Sequence, residues 1–186
     1  MSISDQDAFN ALSALLTGFN IGLIAPRVDP IGLPPLFLTT ATDYSDGECA
    51  NLLATFVALK AIDPALTDDD LGGIIMGLSP DPTTGVLIAA NQTLVAQAIM
   101  KMWYLGSWYQ PFEITGFKAG AQTVVSDQAY IKGLAWQSMQ SHAMGNSTLT
   151  FGYWDKPPVA SLQDFTGNSD VADGASPNPT EWGATT

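Results

Sequence analysis

Apolar residues recur with the period of an α-helix between Thr84 and Pro111, and this stretch predicts the central helix of the chain. Four apolar positions fall at i, i+3, i+4 and i+7 and therefore share one helix face: Val95, Ala98, Ile99 and Met102. Gly106 follows the last of these positions, where helices commonly end in a left-handed turn. The pattern therefore predicts a helix that ends at about Gly106.

Two helices are predicted before the central one from their capping residues and apolar positions. Ser4 is expected to cap a first helix that ends at Gly18. Ser45 and Glu48 have the spacing of a capping box, which predicts the start of a second helix. This helix is expected to run to Ile62, since Asp63-Pro64 marks its end.

Two shorter helices are predicted from the same kind of signal. Thr67 can cap a helix whose first turn holds three aspartates, a position that the helix dipole favours for carboxylates. Ser126 is expected to cap a helix from Asp127 to about Gln140. The three aspartates also suggest a calcium site, but the loop lacks the alternating ligand pattern of an EF-hand, so capping is the preferred interpretation.

Two segments interrupt the helical pattern. Ile21 to Leu38 is apolar but contains four prolines, which predicts an irregular connection with a short helical turn after Pro35. Phe112 to Val125 contains glycines and a Thr-Val-Val run, which predicts an extended segment. We therefore predict a mainly α fold: a compact helical domain over residues 1–158 with irregular connections, and an extended, acidic C-terminal arm over residues 159–186.

Aromatic residues are concentrated at the end of the central helix: Trp103, Tyr104, Trp108 and Tyr109. Such side chains bury large areas, while Trp and Tyr keep a polar atom that needs a partner. The pattern is typical of a core helix closed by an aromatic plug. It is also typical of a protein–protein contact, where Trp and Tyr are enriched. Periodicity does not distinguish between the two.

Composition excludes several classes of partner. The chain has 186 residues, of which 46% are hydrophobic, enough for one domain with its own core. Its net charge is -12 and its six basic residues are scattered singly, which excludes nucleic acid and disfavours anionic membranes. No apolar run approaches the roughly 18 residues of a membrane span. The first residues lack the features of an export signal, so the chain as written is expected to be cytoplasmic.

Motifs for catalysis or cofactor binding are missing from the sequence. There is no dinucleotide fingerprint, P-loop, nucleophile elbow, haem-attachment motif or Cys/His metal cluster. Any Ser–His–acid arrangement would depend on His142 alone. The single cysteine, Cys49, is expected to be a small buried apolar residue. We therefore expect no catalytic, cofactor-binding or metal-binding residue in this chain.

Three short motifs carry a resemblance to a known family. Ile99 to Gly106 (IMKMWYLG) resembles the xAWYLG helix end of the small subunit of membrane-bound, FAD-dependent sugar and polyol dehydrogenases, the sorbitol dehydrogenase small-subunit family. Phe151 to Pro158 (FGYWDKPP) is similar to the terminal GFW/GYW…KP motif of that family. Phe9 to Phe19 (FNALSALLTGF) resembles its first helix. The three motifs occur in the family's order.

The resemblance implies a non-catalytic accessory subunit. In the family, a large GMC-type subunit holds FAD and oxidises the sugar or polyol, and a cytochrome c subunit with haem often accepts the electrons. Relatives usually begin with a twin-arginine export signal, so the resemblance implies a periplasmic location if this chain is a processed form. The residues expected to contact the partner are aromatic: Trp103, Tyr104, Trp108, Tyr109, Phe151, Tyr153 and Trp154.

Two other functional classes stay open at this point. The chain could be a stand-alone enzyme that uses His142 with nearby acids, which activity of the purified chain would support. It could also be a structural or interaction protein without a flavoprotein partner. Homo-oligomerisation in the absence of a flavoprotein would support that alternative.

Overall fold

The computed structural model of the protein describes residues 4–63, 65–85, 87–139, 141 and 143. Of the described residues, 57% are helical and 6% lie in strands, which confirms the predicted mainly α fold. The helices are α1 (Asp5–Thr17), α2 (Ile21–Ile24), α3 (Leu33–Asp43), α4 (Glu48–Ile62), α5 (Asp68–Ile75), α6 (Ala90–Leu105), α7 (Asp127–Ile131) and α8 (Leu134–Ser138). The strands are β1 (Ser107–Tyr109) and β2 (Gln122–Val124). The predicted arm over residues 159–186, and the boundary at residue 158, lie outside the described residues.

The hydrophobic core is centred on α6, which packs against α1, α3, α4 and α5. Its buried face includes the four periodic positions predicted from the sequence: Val95, Ala98, Ile99 and Met102. α1 contributes Phe9 and Leu12, and α4 contributes Leu52 and Phe56. Burial of these apolar side chains supplies the main driving force for this arrangement of helices.

Local capping signals placed several helix ends correctly. The Ser4 Oγ accepts a hydrogen bond from the Asp7 N–H at 3.1 Å, which caps α1 as predicted. α1 ends at Gly18 and α6 ends at Gly106, both in the left-handed conformation that favours glycine. Thr67 caps α5 through the N–H of Asp70, and no calcium ligand is needed to explain the aspartates of this turn.

The predicted capping box at the start of α4 is wrong. The residue that precedes the helix is Gly47, with φ of 84°, and the chain reaches it through Asp46 with φ of 51°. The Ser45 hydroxyl instead accepts a hydrogen bond from the Cys49 N–H at 3.0 Å. The two left-handed residues bring the chain into α4 from a direction that a capping box does not allow.

The proline-rich segment is more helical than predicted. The expected irregular connection contains α3, an 11-residue helix that begins with Leu33-Pro34-Pro35. Prolines are tolerated there because the first N–H groups of a helix have no partner inside the helix. Phe37 of α3 is buried and contacts Trp103 of α6. This packing stabilises a helix that the prolines permit.

The single helix predicted from Asp127 to Gln140 is divided into α7 and α8. The break is at Gly133, where a Cβ atom would lie 2.6 Å from the Tyr104 carbonyl oxygen. The chain therefore approaches the last turn of α6 at this glycine and starts a new helix. Within the described residues, no helix has the length and apolar character needed to cross a membrane.

Candidate functional site

A short antiparallel hairpin continues directly from the end of α6 and is anchored in the core by Trp108. β1 pairs with β2, which partly fulfils the prediction of an extended segment over residues 112–125. Trp108 is 0% exposed, and its Nε1 donates to the Gln110 Oε1 at 3.1 Å. The Gln110 Nε2 donates to the carbonyl oxygens of Tyr44 and Phe112 at 3.0 and 2.9 Å. These bonds connect the hairpin to the chain that follows α3.

Trp103 and Tyr104 connect the last turn of α6 to the helices around it. Trp103 is 5% exposed and packs edge-to-face on Phe37, with ring centroids 4.6 Å apart. The Tyr104 hydroxyl donates to the Thr17 carbonyl oxygen at 3.0 Å, and its ring packs edge-to-face on Phe19. Burial raises the pKa of the Tyr104 phenol above its ordinary value. Both side chains therefore have structural contacts within this chain.

Tyr109 lies on the opposite face of the hairpin from Trp108. Side chains alternate along a strand, so the buried Trp108 and its partner Thr123 face the core. Tyr109, which is half-buried, therefore shares the other face with the exposed Gln122 and Val124 and with Ser107, which is buried. The Gln122 Nε2 donates to the Ser107 Oγ at 3.2 Å on that face. Of the two aromatic residues of β1, Trp108 is therefore buried in the core and Tyr109 is half-buried on the other face.

The end of α6, the residue after β2 and α7 meet at Gly106. The Gly106 carbonyl oxygen accepts a hydrogen bond from the Val125 N–H at 3.2 Å. A Cβ atom on Gly106 would lie 2.4 Å from the backbone nitrogen of Tyr130, so α7 is in direct contact with this glycine. Glycine is required here both by this contact and by its φ of 68°.

Apolar side chains are exposed on each of these three segments. Leu105 is 43% exposed, Val124 is 61% exposed and Tyr130 is 37% exposed. The Tyr130 ring packs edge-to-face on Trp136, whose Nε1 donates to the Tyr130 carbonyl oxygen at 2.9 Å. We refer to Leu105, Tyr109, Val124 and Tyr130 as the α6-end surface.

Charge is distributed unevenly between this part of the chain and the rest. Residues 1–100 contain eleven acidic and two basic residues, whereas residues 101–139 contain two acidic residues and three lysines. Lys101 precedes Leu105 by one helical turn, and Lys132 follows α7; both are exposed. The α6-end surface therefore belongs to a nearly neutral region of a strongly acidic chain.

The described residues contain no group of three or more His, Cys, Asp or Glu side chains that could hold a metal ion. Cys49 is buried and free, and burial raises the pKa of its thiol to about 11. Such a thiol is a poor nucleophile at neutral pH. His142 lies outside the described residues, so its predicted role stays a prediction.

The structure leaves the predicted partner-binding residues in two groups. Trp103, Tyr104, Trp108 and Tyr109 come together at the end of α6, whereas Phe151, Tyr153 and Trp154 lie outside the described residues. Their contact with a partner stays a prediction. Val124 and Tyr130 were not predicted from the sequence, because the hairpin and α7, rather than helical periodicity, bring their segments to Gly106.

No family model, curated protein or solved structure matches this chain.

Proposed function

We propose that this chain is a non-catalytic subunit that binds a larger protein and stabilises it. The observation that carries the proposal is that the end of α6, β2 and α7, whose backbones meet at Gly106, each carry an exposed apolar side chain. Scattered exposed apolar residues are normal on a monomer, but apolar side chains from neighbouring segments are typical of an interaction site. The hydrogen bonds of Trp108 and Gln110 hold the hairpin that presents part of this surface.

We propose that the partner is the FAD-containing, GMC-type catalytic subunit of a bacterial sugar or polyol dehydrogenase. This assignment rests on the resemblance of Ile99 to Gly106 to the helix end of the small-subunit family. That motif forms the C-terminal half of α6 and leads directly into the α6-end surface. FAD then belongs to the partner, and haem belongs to a cytochrome c subunit where one is present. The contribution of this chain is contact, with no group of its own in the redox chemistry.

Stabilisation of the partner follows from mass action. A subunit that binds the folded form of a protein and not the unfolded form lowers the free energy of the folded form. A stable interface buries at least about 1,000 Å², which is more than four side chains supply. We therefore include the predicted contacts Phe151, Tyr153 and Trp154 in the proposed interface, beside the α6-end surface.

The proposal is tested by co-expression with a GMC-type flavoprotein encoded beside this chain. One subunit is tagged, the complex is recovered by affinity purification, and its visible absorption spectrum is recorded. We expect a large second chain with flavin bands. Recovery of this chain alone, with no change in the solubility of the flavoprotein, would contradict the proposal. A homo-oligomer without flavin would support the alternative of a structural protein.

A pair of charge substitutions locates the interface. Val124→Asp places a carboxylate on the α6-end surface, and we expect it to reduce recovery of the flavoprotein. Leu78→Asp is the matched control, since Leu78 is also an exposed apolar residue. It follows Gly77, which contacts Thr93 in the first turn of α6, at the other end of a helix about 24 Å long. Equal loss of binding in both variants would place the interface elsewhere.

A further inference from the structure

The hydrogen-bond pattern of the hairpin determines which backbone groups of β2 face away from β1. The Gln110 N–H donates to the Ala121 carbonyl oxygen, and the Val125 N–H donates to the Gly106 carbonyl oxygen. Residues opposite each other in an antiparallel pair alternate between hydrogen-bonded and non-hydrogen-bonded pairs. The two bonds mark Gln110–Ala121 and Gly106–Val125 as hydrogen-bonded pairs. The pair Trp108–Thr123 lies midway between these pairs, so it is hydrogen-bonded as well. The N–H and C=O groups of Gln122 and Val124 consequently point to the outer edge of β2.

This outer edge has no pairing partner within the described part of the chain. The sheet has two strands, and no third strand pairs with β2 there. The backbone groups of Gln122 and Val124 take part in no hydrogen bond with other described residues. Both residues are exposed. The edge therefore presents two donors and two acceptors in the spacing of a β-ladder.

Unpaired groups in this arrangement recognise one type of ligand, the backbone of an extended polypeptide. We propose that the outer edge of β2 binds an extended segment of the flavoprotein partner as a third strand of the sheet. Backbone hydrogen bonds at Gln122 and Val124 provide the register. The outward side chain of Val124 provides an apolar contact on one face of the added strand. This inference rests on the proposed function, because its ligand is the proposed partner.

Charge favours a different protein over a second copy of this chain. Each copy carries a net charge of -12, so association of two copies brings like charges together. Residues 121–125, which contain β2, have no charged side chain. The edge itself therefore accepts a neutral segment, and the acidic domain behind it favours a neutral or basic partner.

Amide exchange measured by NMR tests the edge in the wild-type protein. In the free chain we expect the Gln122 and Val124 amides to exchange rapidly and the Thr123 amide to be protected by its bond to β1. On addition of the flavoprotein, we expect protection of Gln122 and Val124 to rise by at least about tenfold, as new backbone hydrogen bonds form. Thr123 is the internal control, because its pairing is the same in both states.

The substitution Val124→Pro tests the same point through binding. Proline removes the outward N–H, and it is compatible with the fold because that N–H makes no bond to β1. We expect an unchanged circular dichroism spectrum and at least about tenfold weaker binding of the flavoprotein, from lost edge bonds and contacts. Val124→Thr is the matched control, because it keeps the N–H and a β-branched side chain, and we expect it to bind as the wild type does.

The outcomes separate this inference from the proposed function. A complex that forms without new protection at Gln122 and Val124, and that Val124→Pro leaves unchanged, would overturn the edge inference and leave the proposed function standing. Absence of any complex would overturn both. Protection of the two amides in a dimer of this chain, shown by sedimentation without flavoprotein, would identify a second copy as the ligand and overturn the assignment made here. If Val124→Pro does not fold, the amide exchange of the wild type decides.

Discussion

The indole nitrogen of Trp108 donates a hydrogen bond to the side-chain oxygen of Gln110 at 3.1 Å, and both side chains are buried. The amide nitrogen of Gln110 is used as well, since it donates to the carbonyl oxygens of Tyr44 and Phe112. The side-chain amide of Gln110 therefore has three hydrogen-bond partners. Each of these partners would lose a hydrogen bond if the amide were removed. Gln110 thus links the hairpin to the chain that follows α3.

Replacement of Gln110 by alanine is expected to destabilise the fold by about 2–4 kcal/mol. The substitution leaves the buried Trp108 Nε1 and two partly buried backbone carbonyl oxygens without their partner, and each unsatisfied group is costly. Urea unfolding followed by circular dichroism measures the change. Gln6→Ala is the control. It removes a hydrogen bond between the side-chain amides of Gln6 and Asn10 within α1, which is worth about 0.2–0.5 kcal/mol. Similar losses in both variants would contradict the role assigned to Gln110.

Replacement of Gly106 by alanine is expected to cost about 2–5 kcal/mol. A Cβ at this left-handed position costs about 1–2 kcal/mol, and its overlap with the backbone of Tyr130 adds about 1–3 kcal/mol. Gly18→Ala is the matched control. Gly18 also ends a helix with positive φ, of 72°, but no atom lies within 4 Å of its Cβ position. Thermal unfolding should therefore show a much smaller loss for Gly18→Ala.

The parts of the fold that were predictable depend on local signals. Ser4, Thr67 and Ser126 cap the helices expected of them, because a capping hydrogen bond joins residues two or three apart. The apolar face of α6 and its end at Gly106 follow from periodicity and from the preference of glycine for positive φ. These features need no knowledge of the rest of the chain.

The parts that were not predictable depend on contacts between distant residues. α3 forms although its first turn is rich in proline, because Phe37 packs against Trp103, 66 positions further along the chain. The helix after Ser126 breaks at Gly133 because that glycine meets Tyr104 of α6. Val124 and Tyr130 join Leu105 at the α6-end surface for the same kind of reason, so no pattern along the sequence could have indicated them.

Alkaline pH is expected to destabilise the fold through Cys49. Burial raises the pKa of this thiol to about 11 from 9.0, with the charge of Asp5 adding to the effect and a hydrogen bond from Thr42 opposing it. As the pH rises above 9, the unfolded chain loses the thiol proton before the folded chain does. Ionisation of the thiol therefore favours the unfolded state and lowers the free energy of unfolding. The contribution of Cys49 is complete below pH 9 and is lost as the pH approaches 11, by up to about 3 kcal/mol.

Urea unfolding at pH 8 and at pH 10.5 measures this dependence, and Cys49→Ala is its control. The variant lacks the thiol, so its loss of stability between the two pH values should be smaller than that of the wild type. The pH dependence of stability that remains in the variant includes the contribution of the Tyr104 phenol, whose pKa is also raised by burial. The same geometry predicts slow alkylation of Cys49 by iodoacetamide at pH 8 until the chain is unfolded. Equal pH dependence in the two proteins would contradict the buried-thiol explanation.

Trp108 and Tyr109 are expected to affect partner binding for different reasons. Trp108→Ala removes a fully buried indole and should cost about 3–5 kcal/mol of stability, so any loss of flavoprotein binding should accompany loss of folded protein.

Tyr109→Ala changes the outward face of the hairpin and should cost about 1 kcal/mol or less. If Tyr109 is an anchor of the interface, this folded variant should bind the flavoprotein about 30-fold more weakly, as loss of about 2 kcal/mol implies. Substrate preference should be unchanged in both variants, because neither residue belongs to the proposed catalytic subunit. Circular dichroism and affinity purification on the same samples separate the two effects. A folded Tyr109→Ala variant with wild-type affinity would remove Tyr109 from the interface.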